Sequence, residues 1–394
     1  MQVFVGEHRK DITLTAKWST PFSQAIRKAI ATSFSTTHVR HAFPKVMMVV
    51  ENAAARIERE AKQGPVDLQC LFTHMATDLV GRVAFDMDFG GISREGRIFE
   101  CFVDAFSHFT DTLFKPHLQL YMKLFPNSKP ALRKKASQEA IFAEHKHVTQ
   151  TFMSRPYPPD NEYSLWANLR RMIDPDTKKP VEVEKLAGEV ISMVGAAMDT
   201  TGHQMGWICA ILSDHDETVD RILSDMKELG LYGPGSRPFE FADVAKLPFL
   251  TAVVKECMRV VDSLAALTSR CVPEDMEIFG YRLPKDMQVY VPSNVYSRME
   301  EYFEDPDEFK PDRWLSGKSY EYFMPFSSGP RDCVGQRLAM LEMQLTLMHL
   351  LPRFKIKLAD GYTFDDVMNK KYYESVMVAA KGGMNFEITP REYA

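Results

Sequence analysis

Cys333 stands in the stretch Phe326-Ser-Ser-Gly329-Pro-Arg331-Asp-Cys333-Val-Gly335, directly ahead of a segment with helical period. A sulfur at that point meets the unpaired N–H groups and the positive end of a helix dipole, which favour a thiolate. Gly329 and Gly335 permit tight turns on either side, and Arg331 sets a fixed positive charge nearby. Core packing accounts for most single cysteines, but the ten-residue pattern as a whole exceeds what packing requires. Two further constellations could do chemistry. Glu256-Cys-Met-Arg259 puts a carboxylate and a guanidinium three residues apart on one helix face, on a helix that is otherwise apolar. In Ala196-Ala-Met-Asp199-Thr200-Thr201 an acid precedes an alcohol inside a long apolar helix. A threonine there ordinarily turns its hydroxyl back on the preceding carbonyl. Beside a reacting group, the same acid and alcohol could pass protons.

The elements that must position these groups are mostly helical. Apolar residues recurring at three- and four-residue steps predict helices over 21–34, 44–62, 67–85, 98–114, 130–153 and 164–173. One unusually long helix is predicted over 181–212, then others over 216–229, 247–261 and 333–351. Pro- and Asp-rich pieces at 156–161 and 174–180 predict loops. Residues 277–284 and 287–292 predict two short strands joined by a turn, and 373–388 a terminal hairpin around Gly382-Gly383. The stretch 306–328 has no period but many aromatic residues. No linker or repeat divides the chain, so a single domain over 1–394, mainly α with small β-sheets, is expected.

The cysteine stretch resembles the haem-binding signature of the cytochrome P450 family, F-x-x-G-x-R-x-C-x-G, at every fixed position. The resemblance implies that Cys333 is the thiolate ligand of haem iron, within a loop bounded by Phe326 and Gly335, and that Arg331 meets a haem propionate. Thiolate ligation favours heterolysis of an O–O bond. Glu256-Cys-Met-Arg259 resembles the family's E-x-x-R. Phe309-Lys-Pro311-Asp-Arg313-Trp resembles the segment that supplies a third member, Arg313, to a structural triad. Ala196-Ala-Met-Asp199-Thr200-Thr201 resembles the family's oxygen-binding element. It implies that Thr200 hydrogen-bonds dioxygen and that Asp199 relays protons. Arg270 fits a second propionate contact. Arg27 and Lys28 resemble the basic helix at the haem edge, where Phe22 stands in for the usual tryptophan, Trp18 lying too far back. Lys381-Gly-Gly resembles the turn that closes the substrate pocket. By the same analogy Met193, Val194 and Ala197, residues 264–268 and residues 375–378 line that pocket.

The chain departs from the family at Ala197, where glycine is usual, and at Asp262-Ser263, where a proline pair is usual. It also opens near the family's third helix. A P450 fold shortened at its N-terminus is therefore expected, with the edge of the strand at 287–291 open to water. The implied activity is insertion of one oxygen atom from O2 into an apolar substrate, in lipid or secondary-metabolite biosynthesis. Haem is the expected cofactor, with electrons from NADPH through a reductase. Two rivals are a haem-dependent isomerase or dehydratase of the same fold and a truncated, inactive haem-binding relative. A basic docking face for the electron donor is expected from Arg27, Lys28, Arg40 and Arg337.

Composition agrees with this class and excludes others. The 394 residues are 45% hydrophobic and 26% charged, which suits a large buried core and rules out a disordered or fibrous chain. Lys+Arg 48 against Asp+Glu 53 gives a net charge of -5, so no basic field supports nucleic-acid binding. The six cysteines contain no C-x-x-C pair, which argues against a zinc site or a disulfide framework. No transmembrane anchor is expected: the N-terminus is short and polar, and Glu189, Asp199 and His203 interrupt the longest apolar segment. Peripheral contact with the endoplasmic reticulum membrane is implied by the family alone.

Overall fold

The computed structural model describes residues 20–162, 164–262, 269–369, 371–374, 377–380 and 383–392. The predicted sites at 264–268, Ser375 and Val376, Lys381-Gly382 and Trp18 lie outside these residues.

Helix α1 (Pro21–Ser33) begins where Thr20 and Ser23 exchange capping bonds and Pro21 presets the first turn. The helices that follow include α2 (Thr36–Ala61), α3 (Leu68–Val80), α4 (Ile98–Phe114), α5 (Pro116–Leu124), α6 (Lys129–Ser154), α7 (Leu165–Arg170), α8 (Val183–Ser213), α9 (Asp216–Glu228), α10 (Pro248–Val260) and α11 (Gln336–Leu350). At the centre is α8, packed against α3, α6, α10 and α11. Its glycines allow close approach: a Cβ at Gly202 would fall 2.5 Å from the Thr73 Cα. A continuous set of buried apolar side chains runs from Phe22 to Ile388 and joins these helices. The sheets are small. β1 (Val66–Asp67), β9 (Asn385–Pro390) and β6 (Phe354–Leu358) form one of three strands, with Ile356 opposite Ile388. Among the described residues no helix is long and apolar enough to cross a membrane.

Several expectations need correction. The helix predicted from Pro44 begins earlier, at Thr36, and Pro44 lies inside it. Val39, Ala42, Val46, Val49 and Val50 bury on both sides of the proline, which offsets an interior-proline cost of about 3 kcal/mol. The helix predicted over 67–85 ends at Val80 and passes into a π-turn, Gly81–Phe85. Residues 277–284 are not one strand but a hairpin, β3 (Met276–Ile278) with β4 (Tyr281–Leu283). Its turn residues Phe279 and Gly280 both have positive φ, 50° and 80°, as a two-residue hairpin turn requires. The expected partner strand, β5 (Gln288–Tyr290), pairs with β2 (Ser269–Cys271) instead. No single hairpin spans 373–388: β7 (Lys371–Glu374) pairs with β8 (Met377–Ala380), and β9 leaves to join β1 and β6. The alternation that buries Phe386 and Ile388 fixes that register. Helix α5 had no counterpart in the predicted elements; none of its residues is buried.

Candidate functional site

The loop carrying Cys333 is closed by one backbone bond: the Cys333 N–H donates to the Phe326 carbonyl at 2.9 Å. Two left-handed residues shape the turn between them, Ser327 at φ 61° and Gly329 at φ 81°. Glycine takes that conformation without penalty, whereas serine pays roughly 1–2 kcal/mol. The Arg270 Nη2 donates to the Ser327 Oγ at 3.1 Å and so braces the strained residue. Phe326 packs its ring against the core. Past Cys333 the chain enters α11. The first N–H groups of that helix, those of Gly335 and Gln336, donate to the sulfur. The side chain is exposed, yet it stands among enough protein that desolvation pushes its thiol pKa up.

Three guanidiniums gather at this loop. Arg27 donates through Nη2 to the Asp332 carbonyl at 2.8 Å and to the Asp332 carboxylate at 2.5 Å. Arg270 reaches Ser327 from β2. Arg331 has its pKa lowered by desolvation and by the positive charges of Arg27 and Arg270. Cations crowded so that one destabilises another suit an anion of more than one charge. The fixed sulfur and the arginine cluster therefore fit a porphyrin with two carboxylate arms.

Behind the loop lies a buried hub. Glu256 and Arg259 are both 0% exposed, joined by Nη2–Oε1 at 2.8 Å and Nε–Oε2 at 3.0 Å. Arg259 Nη1 also donates to the carbonyls of Ser297 and Pro306, and Nη2 to that of Glu308. Arg313 adds its Nε to Glu256 Oε1 at 3.1 Å, so the structure brings together all three residues named for the triad. Sequence reasoning missed a fourth member: Trp314 Nε1 donates to Glu256 Oε2 at 2.9 Å. The signal was available, because an indole N–H in an aromatic cluster needs an acceptor.

The acid–alcohol motif occupies the part of α8 that opens beyond its first turn. From 186 to 213 every residue is buried except Met193, Ala196, Ala197, Asp199 and Thr200. Met193, Ala196, Ala197 and Thr200 follow i, i+3, i+4, i+7 spacing and form one stripe. Val194, expected beside them, is 0% exposed and belongs to the core; Ala196 takes its place on the stripe. The Thr200 hydroxyl donates to the Ala196 carbonyl at 2.8 Å, so to reach any ligand it must rotate away from that bond. Asp199 pairs with His203, which the motif reading did not include. Val378, another expected pocket residue, is buried, and its carbonyl accepts the Trp207 indole N–H at 2.7 Å. Of the expected docking cations, Lys28, Arg40 and Arg337 are exposed.

Comparison with known proteins bears on the family and the fold. A family model for cytochrome P450 matches residues 6–386. The chain is 26% identical over 349 residues to cytochrome P450 3A5 of Homo sapiens, covering 84% of this chain and 67% of that protein. It is 30% identical over 195 residues to tabersonine/lochnericine 19-hydroxylase of Catharanthus roseus, covering 48% of this chain and 37% of that protein. In three dimensions it is similar to the crystal structure of the cytochrome P450DA heme domain, with TM-score 0.81 and 18% identity. That match covers 99% of this chain and 80% of the solved one. On fold, loop and family match together, the chain belongs to the cytochrome P450 family.

Proposed function

We propose that the chain is a haem-thiolate monooxygenase that inserts one atom of O2 into an apolar organic substrate, with electrons from NADPH through a reductase. The observation that carries this reading is the Cys333 sulfur, reachable by solvent, fixed by two N–H groups and flanked by Arg27, Arg270 and Arg331. Bound haem with a thiolate ligand supplies the activation of dioxygen. The chain's own residues do the rest. Cys333 would hold the iron, and the three arginines would neutralise the propionates and fix the orientation of the ring. Phe326 and Gly335 would bound the loop that presents the sulfur. Met193, Ala196 and Ala197 offer an apolar wall to the substrate. Thr200 would release its bond to the Ala196 carbonyl to hold a proton toward the reacting oxygen, and Asp199 would resupply that proton from water.

The exposed Lys28, Arg40 and Arg337 support a docking face for an acidic electron donor. Membrane contact is supported by α5, which exposes Leu120, Tyr121 and Leu124 beside Lys115 and Lys123. An amphipathic element of that kind lies on a lipid surface rather than across it. The test is turnover under isotopically labelled O2 with reductase, NADPH and a panel of apolar substrates. One labelled oxygen per product molecule and strict dependence on NADPH are expected. Unlabelled product formed without NADPH would instead identify an isomerase or dehydratase.

A further inference from the structure

Asp199 has a partner one helical turn further along. The His203 Nδ1 lies 2.8 Å from the Asp199 backbone carbonyl and 3.2 Å from its Oδ1. The side chains are only 9% and 14% exposed. The carbonyl contact alone is unremarked in this chain: His74, His145 and His215 each make the same bond to the residue four before, at 2.8 Å. The carboxylate sets His203 apart. A bare lone pair on Nδ1 would face two oxygens and be repelled by both, so Nδ1 carries the proton and shares it between them. The turn that carries His203 is also fixed in place, because Gly202 beside it packs directly on the Thr73 backbone.

We propose that His203 is a positioning residue, whose Nδ1–H holds the Asp199 carboxylate along the helix axis at the edge of the open stripe. The inference rests on the reading of Asp199 and Thr200 as the proton path. A hydrogen bond to one carboxylate oxygen fixes where that oxygen lies. It also restricts the rotamer, so that Oδ1 is engaged and Oδ2 is left for water or for Thr200. Without the imidazole, Asp199 loses that restraint, and protons reach the oxygen site less reliably than electrons do.

The experiment compares His203→Phe, which keeps the ring volume but has no N–H, with His203→Asn, which keeps a donor. Both should fold and load haem. His203→Phe should yield about tenfold less product per NADPH, with peroxide rising and KM for substrate unchanged. That factor corresponds to losing one hydrogen bond of ordinary net strength. His203→Asn should recover most of the coupling, which a role in packing alone would not explain. A second measurement does not depend on turnover. In the reduced, carbon-monoxide-bound protein, 15N-histidine NMR should show a protonated Nδ1 on His203 whose shift moves in Asp199→Asn. Parental coupling in His203→Phe, or an unmoved His203 signal in Asp199→Asn, would overturn the inference. Thr200→Ala distinguishes the two levels. If it uncouples while His203→Phe does not, the inference about His203 fails alone. If neither uncouples, the proton-path reading itself fails.

Discussion

Removal of Arg259 probes the hub behind the cysteine loop. The side chain is 0% exposed and makes five bonds: two to Glu256 and one each to the carbonyls of Ser297, Pro306 and Glu308. In Arg259→Ala the carboxylate is not left bare. Glu256 keeps the Arg313 guanidinium, the Trp314 indole and the Lys310 backbone N–H, all within 3.1 Å. What is stranded is the pair of carbonyls of Ser297 and Pro306, each costing about 1–3 kcal/mol if it stays dry, while the Glu308 carbonyl keeps Arg313 Nη2 at 3.5 Å. Water entering the vacated volume would recover part of that. Breaking a buried pair typically costs ~3–5 kcal/mol, and the surviving donors put Arg259→Ala within that range rather than above it. Glu256→Ala should be worse, since it leaves two buried guanidiniums facing each other without an anion. Trp314→Phe removes one bond to a charged acceptor and should cost about 1.5–3 kcal/mol. Against a total stability of roughly 5–15 kcal/mol, the first two variants should accumulate little haem-loaded protein. The assay is urea unfolding followed by circular dichroism and by Soret absorbance on the same samples. An Arg259→Ala protein that unfolds within about 1 kcal/mol of the parent, fully haem-loaded, would refute the reasoning.

Other expectations concern single groups. Thr200→Ala should retain haem yet divert NADPH electrons into peroxide, read as the ratio of peroxide to product; an unchanged ratio would leave Thr200 with only its bond to Ala196. Glu342, buried within α11, has its pKa pushed up to about 8 by desolvation, and its Oε1 has no hydrogen-bond partner among the described residues. The folded protein then holds a proton that the unfolded chain releases above pH 4.5. Its contribution is greatest below that pH and declines as the pH rises toward 8. Glu342→Gln should flatten that decline in urea midpoints measured from pH 5 to 8, and parallel curves for parent and variant would contradict it.

The cysteine loop was legible in the sequence because its geometry constrains residue type at nearly every step. A left-handed turn at Gly329, a helix start at Gly335 and a cation at Arg331 leave few alternatives. Amphipathic helices were legible for a similar reason: burial on one face imposes a period, as at Val219, Ile222, Leu223 and Met226 of α9. The misses share a physical cause. Pro44 reads as a helix start locally but is held inside α2 by packing on both sides. Phe279-Gly280 is a turn of two residues within what looked like one strand, and only its positive φ values reveal it. Strand β9 finds its partners at Val66 and Phe354, contacts of long sequence separation that no local pattern encodes. Trp314 and His203 were different. Both stood beside named motif residues, and each carries an N–H that needed an acceptor.

The central claim is that Cys333 is the thiolate ligand of haem iron. The direct measurement is the absorption spectrum of the reduced, carbon-monoxide-bound protein, taken for the parent and for Cys333→Ser. The parent should give the strongly red-shifted Soret band of thiolate ligation, and Cys333→Ser should lose it. A band that survives in Cys333→Ser, or is absent from a haem-loaded parent, would contradict the assignment.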